Sequence, residues 1–97
     1  YSSVAQKNAS YNTTRLNFKP RIDVRGKKAD EAIQEITEWL DNALVSDVKE
    51  VKILHGKGSG ILRETIRKYL KTFGFVKSFH DENEEQGGAG ITVVYLE

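Results

Sequence analysis

A chain of 97 residues holds one hydrophobic core, and an apolar content of 38% is enough to build it. With no cysteine, the chain has no disulfide staple, no thiol catalysis and no cysteine–zinc site, and a cytoplasmic protein is expected. The formal net charge of +1 conceals a separation of signs: cations recur at Arg21, Arg25, Lys27 and Lys28, then at Lys57, Arg63, Arg67, Lys68 and Lys71, while Asp81, Glu82, Glu84 and Glu85 collect together, which leaves a polyanionic partner open.

Residues 1–19 are expected to be a flexible linker or lead-in, and 20–97 the folded domain. Tyr1 to Thr14 is rich in Ser, Asn, Thr and Ala with no sustained period, as in an unstructured segment. Arg15 to Lys19 reads as a short extended lead-in with Leu16 and Phe18 on one side. Pro20 marks the edge of a first strand over Arg21 to Val24, which Gly26 ends. From Ala29 to Val45, apolar residues at three- and four-residue steps, including Ile33, Ile36, Trp39, Leu40 and Leu44, trace one face of an amphipathic helix. Trp39 belongs to that stripe and so to the core.

Val51 to Leu54 is a second strand, followed by a turn with Gly56, Gly58 and Gly60. A second helix comes next, with Ile61, Leu62, Thr65, Ile66, Tyr69 and Leu70 on its inner face and Arg63, Arg67 and Lys71 on its outer one. Gly74 breaks it. Phe75 to Phe79 is a third strand, Asp81 to Gly90 a polar, acidic, glycine-rich loop, and Ile91 to Leu96 a buried strand. The order β-α-β-α-β-β predicts an α/β two-layer sandwich with a mixed four-stranded sheet and right-handed crossovers. No apolar run approaches the ~18 residues of a membrane span, and no signal-peptide pattern is present, so no membrane partner is expected. The missing initiator Met leads us to expect a fragment of a longer protein.

That topology locates a candidate site. Three parallel strands share one carboxyl edge, and the start of an antiparallel fourth falls on the same edge. Asp23, Arg25, His55 and the glycines Gly87, Gly88 and Gly90 should meet there, where open α/β sheets bind ligands. In His55-Gly56-Lys57-Gly58-Ser59-Gly60, glycine backbone can approach an anion closely, the helix that follows turns its positive end toward the loop, and Lys57 adds a full charge. Ser59 suits the N-cap of that helix. The order and spacing are not those of a nucleotide-binding P-loop, so no nucleotide is expected in this fragment. His55 is a candidate general acid or base, and His80 is a surface or packing residue. Asp23 has three candidate roles: to orient His55, to hold a divalent ion such as Mg²⁺ or Mn²⁺, or to pair with a neighbouring cation. Arg25 suits bidentate phosphate binding.

Ile22-Asp23-Val24-Arg25-Gly26, His55-Gly56-Lys57-Gly58 and Gly87-Gly88-Ala89-Gly90 resemble the three signature motifs of the Smr (small MutS-related) domain, and the stretch from Gly58 to Arg63 resembles that family's way into its second helix. The resemblance covers Ile22 to Leu96. It implies a fold similar to the C-terminal domain of translation initiation factor three, and binding of DNA, duplex or branched, with nicking in many members. It also implies an origin at the C-terminus of the bacterial MutS paralogue that suppresses recombination; some relatives act on RNA or at ribosomes. Where stand-alone members often carry His at the end of the first motif, this chain has Arg25, which cannot serve as a base. The expectation is a monomeric, nucleic-acid-binding nicking endonuclease. In it Asp23, Arg25 and His55 are catalytic, and phosphate is held by Arg25, Lys57, Arg63 and the backbone at Gly56, Gly58, Gly60, Gly87, Gly88 and Gly90. Any metal sits on Asp23. The alternative is a binding module for branched DNA or structured RNA, without chemistry of its own.

Overall fold

A computed structural model describes residues 18–97; the segment 1–17, with the expected linker and most of the lead-in, lies outside the described residues. Strand β1 (Arg21–Asp23) leads into helix α1 (Ala29–Val45), strand β2 (Glu50–Leu54), helix α2 (Ile61–Leu70), strand β3 (Val76–Asp81), two short 3₁₀ turns (Glu84–Gln86 and Gly88–Gly90) and strand β4 (Ile91–Leu96). The sheet order is β1-β2-β4-β3. β1 and β2 are parallel, and β4 is antiparallel to both β2 and β3, so the first three strands share a direction and the fourth opposes them. The expected α/β mixed sheet of four strands is the one observed.

Both helices lie on one face of the sheet and touch each other. Ile33, Ile36, Leu40 and Ala43 of α1 and Ile66 and Leu70 of α2 pack against Val51, Ile53, Val94 and Leu96 of the sheet. The alternation of strand side chains sets this pattern: Val51 opposes Val94, and Ile53 opposes Thr92, all on the helix side. On the other face Lys52 crosses to Glu82 in an ion pair, and His80 packs against Tyr95 with the rings tilted by 38° and their centroids 5.4 Å apart. Trp39 sits at the core margin; its indole N–H donates to the Lys19 carbonyl at 2.9 Å, and its ring stacks on Phe18.

α1 ends in two backbone bonds, from Val48 to the Ala43 carbonyl and from Asp47 to the Leu44 carbonyl, with Asp47 left-handed at φ 58°. This is a Schellman stop with an aspartate where glycine is usual.

Three local expectations need correction. The third strand runs on to Asp81, so Asp81 is a strand residue and not part of the loop. Its carboxylate receives Arg63 and Arg67, which draws both arginines off the expected outer face of α2 and against the sheet; Ile61 and Tyr69, expected inside, are exposed instead. The N-cap of α2 is Gly60, at φ 84°, while Ser59 Oγ accepts only a long 3.4 Å bond from the Ile61 N–H. No helix among the described residues is long and apolar enough to cross a membrane.

Candidate functional site

The carboxyl edge of the sheet brings the three motifs together through backbone hydrogen bonds. Val24 donates to the Leu54 carbonyl at 2.9 Å, which ties the first motif to β2. The N–H groups of His55 and Gly56 both donate to the Gly90 carbonyl, at 3.1 and 3.0 Å, which ties the second motif to the third. A Cβ at Gly90 would stand in van der Waals contact with Lys57 Cγ, at 3.4 Å, and with the Gly56 backbone, so the two loops lie against each other.

The side chains divide into two groups. Asp23 opposes Leu54, on the sheet face away from the helices. His55, one residue further along, turns to the helix side, where Nε2 meets Thr92 Oγ1 at 2.7 Å. Period-two alternation thus separates the two residues, and of the three candidate roles of Asp23 the orienting of His55 is not the one seen. Instead Asp23 pairs with its neighbouring cation. Arg25 Nε donates to Oδ1 at 2.9 Å, Nη2 to Oδ2 at 2.7 Å, and the Arg25 backbone N–H to Oδ1 at 3.1 Å. These bonds to Arg25 lower the Asp23 pKa to about 2. Both side chains are half-exposed, and the Arg25 stem lies over Gly56, at whose φ of 83° a side chain would be strained.

His55 is only 5% exposed. Its Nδ1 lies 2.9 Å from the Gly56 carbonyl and its Nε2 is engaged with Thr92, so both ring nitrogens are occupied. Burial pushes its pKa below the ordinary imidazole value, and the positive charges of Arg67 and Arg63 act in the same sense, against the hydrogen bond to Gly56. To move a proton, as expected of it from sequence, the ring would first have to leave Thr92.

Above His55, a shallow cavity of about 250 Å³ is lined by Gly26, Lys27, the segment from His55 to Gly60, Leu62 and Arg63, with no carboxylate among them. Lys27 is paired with Glu35 and Arg63 with Asp81, whereas Lys57 has no carboxylate partner among the described residues. Backbone N–H groups from Lys57 to Gly60, and those of Leu62 and Arg63 in the first turn of α2, find no acceptor among the described residues. Together with the positive end of the helix dipole they form an anion-receptive surface. Arg63 Nε is buried without an acceptor and is an unspent donor beside the cavity.

The third glycine loop has a different part from the one expected. The N–H groups of Gly87, Gly88 and Gly90 are bonded to the carbonyls of Glu84, Asn83 and Gly87, so these residues prop up the second loop and offer no donor to a phosphate. The expected divalent ion finds no ready cage: both Asp23 oxygens are held by Arg25, and no three His, Asp or Glu side chains stand together among the described residues. Sequence reasoning passed over Thr92 and Asp81 and placed Arg67 on a solvent face. Threonine is an ordinary strand former and gave no signal, and the i, i+4 pair Arg63 and Arg67 has the spacing of a solvated helix face.

Comparison with known proteins identifies the family and the fold. The family model of the Smr domain matches residues 22–97, which include all three motifs. In an alignment of 93 positions that covers 89% of this chain it is 45% identical to Endonuclease MutS2 of Caldicellulosiruptor saccharolyticus, and in one of 95 positions that covers 98% it is 40% identical to Endonuclease MutS2 of Finegoldia magna. It spans 12% of the length of each of these relatives. The crystal structure of the Smr domain of Thermus thermophilus MutS2 matches with a TM-score of 0.77 and 39% identity, covering 79% of this chain and 96% of that one. YdaL, a stand-alone small MutS-related protein from Escherichia coli, also gives a TM-score of 0.77, over 80% of this chain and 64% of that one, and at 23% identity the likeness is one of fold. With the motifs, the sheet order and the sequence match in accord over the whole described domain, the chain belongs to the Smr domain family.

Proposed function

We propose that the domain binds the phosphate backbone of DNA at the carboxyl edge of its sheet and nicks one strand by hydrolysis. The observation that carries this reading is the cavity between Lys27, Lys57 and Arg63, free of carboxylates and capped by unpaired backbone donors, with the Asp23–Arg25 fork just across Gly56. The name of the full-length relatives, endonuclease, agrees with it.

Each side chain has a definite part. Asp23 occupies two of the five guanidinium N–H donors of Arg25 and leaves three for the oxygens of a phosphodiester. Lys57 and the loop N–H groups neutralise charge as it grows on those oxygens. Asp23, ionised and held in place, orients the attacking water through its remaining lone pairs; a carboxylate with a pKa of about 2 is too weak a base to take its proton early. The water oxygen bonds to phosphorus and gives up a proton to bulk solvent as one ester P–O bond breaks, and the departing oxygen takes a proton from solvent. No step is assigned to a divalent ion, because the donors around Asp23 do not fit one.

A second reading, binding without cleavage, is favoured by the same locked Asp23–Arg25 pair, which leaves no strong base exposed. Incubation of supercoiled plasmid with the purified chain, with and without Mg²⁺ or Mn²⁺ and beside a structured RNA, separates the two. Nicked circles that fall by about 10²–10³ in rate in Arg25→Ala are the expected result. Salt-sensitive binding with no nicks under any condition would leave the binding module.

A further inference from the structure

One polar cluster takes no part in holding phosphate directly. His55, Thr92, Arg67 and Asp81 come from four successive parts of the fold, the β2 end, β4, α2 and β3, and meet beneath the glycine loop. Arg67 donates to Thr92 Oγ1 from Nη2 at 3.1 Å and from Nε at 3.3 Å. Thr92 is fully buried and His55 nearly so.

The direction of every bond follows from the two ends of the chain. Arginine cannot accept, so Thr92 receives from Arg67 and keeps its single O–H for His55 Nε2, which accepts it when the ring is neutral and protonated at Nδ1. The Gly56 carbonyl cannot donate, so His55 Nδ1 carries the ring proton and gives it to that oxygen. The same burial that lowers the pKa of His55 keeps the ring neutral, and the neutral Nδ1–H tautomer satisfies both contacts. Arg67 is balanced by Asp81, which also receives Arg63 at 2.8 Å and holds it beside the cavity. The charged groups around His55 are thus Arg63 and Arg67 of α2 and Asp81 of β3, with Lys57 two residues along its own loop.

We infer that Thr92, Arg67 and Asp81 are positioning residues, which hold His55 as a fixed clamp on the Gly56 carbonyl and so set the Gly56–Lys57 turn that receives phosphate. What the turn receives rests on the function proposed above; the clamp itself does not. Asp81 acts twice, through Arg67 on the clamp and through Arg63 on the wall of the cavity.

The test uses the 97-residue chain with Thr92→Val, which keeps the shape and deletes the donor, and Thr92→Ser, which restores it. Ring ¹⁵N shifts of His55 read its tautomer, and fluorescence anisotropy with a labelled DNA duplex reads binding. The wild type should show the Nδ1–H form alone near neutral pH. Thr92→Val should release Nε2, so that the Nε2–H or the protonated form appears, and should weaken duplex binding about tenfold, the scale of one buried hydrogen bond. Thr92→Ser should return both readouts to wild type. If Thr92→Val does not fold, Asp81→Asn, a change at an exposed side chain, is judged by the same two measurements. Wild-type tautomer and affinity in the valine variant, or no recovery with serine, would overturn the inference. A wild type that binds DNA but never nicks, with the tautomer change still seen in Thr92→Val, would remove the nuclease reading and leave the clamp standing.

Discussion

At Asp23 the carboxylate is held by three bonds from Arg25 and stays ionised down to about pH 2. Any acid limb in nicking between pH 4 and 7 therefore belongs to another group. Asp23→Asn is expected to lower the rate at every pH without moving that limb, as a pH–rate profile of plasmid nicking would show. His55 has the opposite kind of pH dependence, through the fold. Its lowered pKa means that the unfolded chain takes up a proton more readily than the native one, so stability is full above about 6.5 and falls as the pH drops below it. The paired carboxylates, with pKa values also lowered, weaken the fold only below about pH 4. Urea unfolding between pH 7 and 5 should show a loss no steeper than about 1.4 kcal/mol per pH unit, the limit for one proton, and His55→Gln should flatten it. An equal slope in both proteins would remove His55 as its source.

Among the elements, α1 is the part most fully written in the sequence. Its stripe of Ile33, Ile36, Leu40 and Ala43 is the buried face, and Leu40→Ala should cost about 2–5 kcal/mol in denaturant unfolding. Its stop is a different matter. Asp47 holds a left-handed backbone conformation that glycine takes without strain, and Asp47→Gly should stabilise by roughly 0.5–1 kcal/mol, the relief of strain less the added chain entropy. Its surface pair with Lys49 adds little on the other side. Nothing in the local pattern marked this turn, because aspartate is unremarkable after a helix. The strands were legible to within a residue or two, and so was their common edge. The outer face of α2 was misread for a tertiary reason: Arg63 and Arg67 carry the period of a solvated helix face, yet β3 presents Asp81 opposite them, and no local pattern shows what stands across a helix.

Across the whole molecule, the fold acts by bringing together segments far apart in sequence. The Gly90 carbonyl holds His55 and Gly56, and β1 meets β2 where Asp23 and Arg25 emerge. The strand order pointed to this meeting, since the ends of three parallel strands and the start of an antiparallel fourth fall on one edge. It did not reveal that Asp23 and His55 face opposite sides of the sheet, because alternation depends on register, and register is set by pairing. The proposed function requires phosphate to sit at that edge. Amide chemical-shift mapping of the 97-residue chain with a short DNA duplex at low salt tests this most directly. It should move the Gly26–Lys27 and Lys57–Arg63 amides together and lose the effect as salt rises. Shifts confined to the opposite end of the sheet, around Lys49, Lys77 and Glu97, or no shifts at low salt, would contradict it.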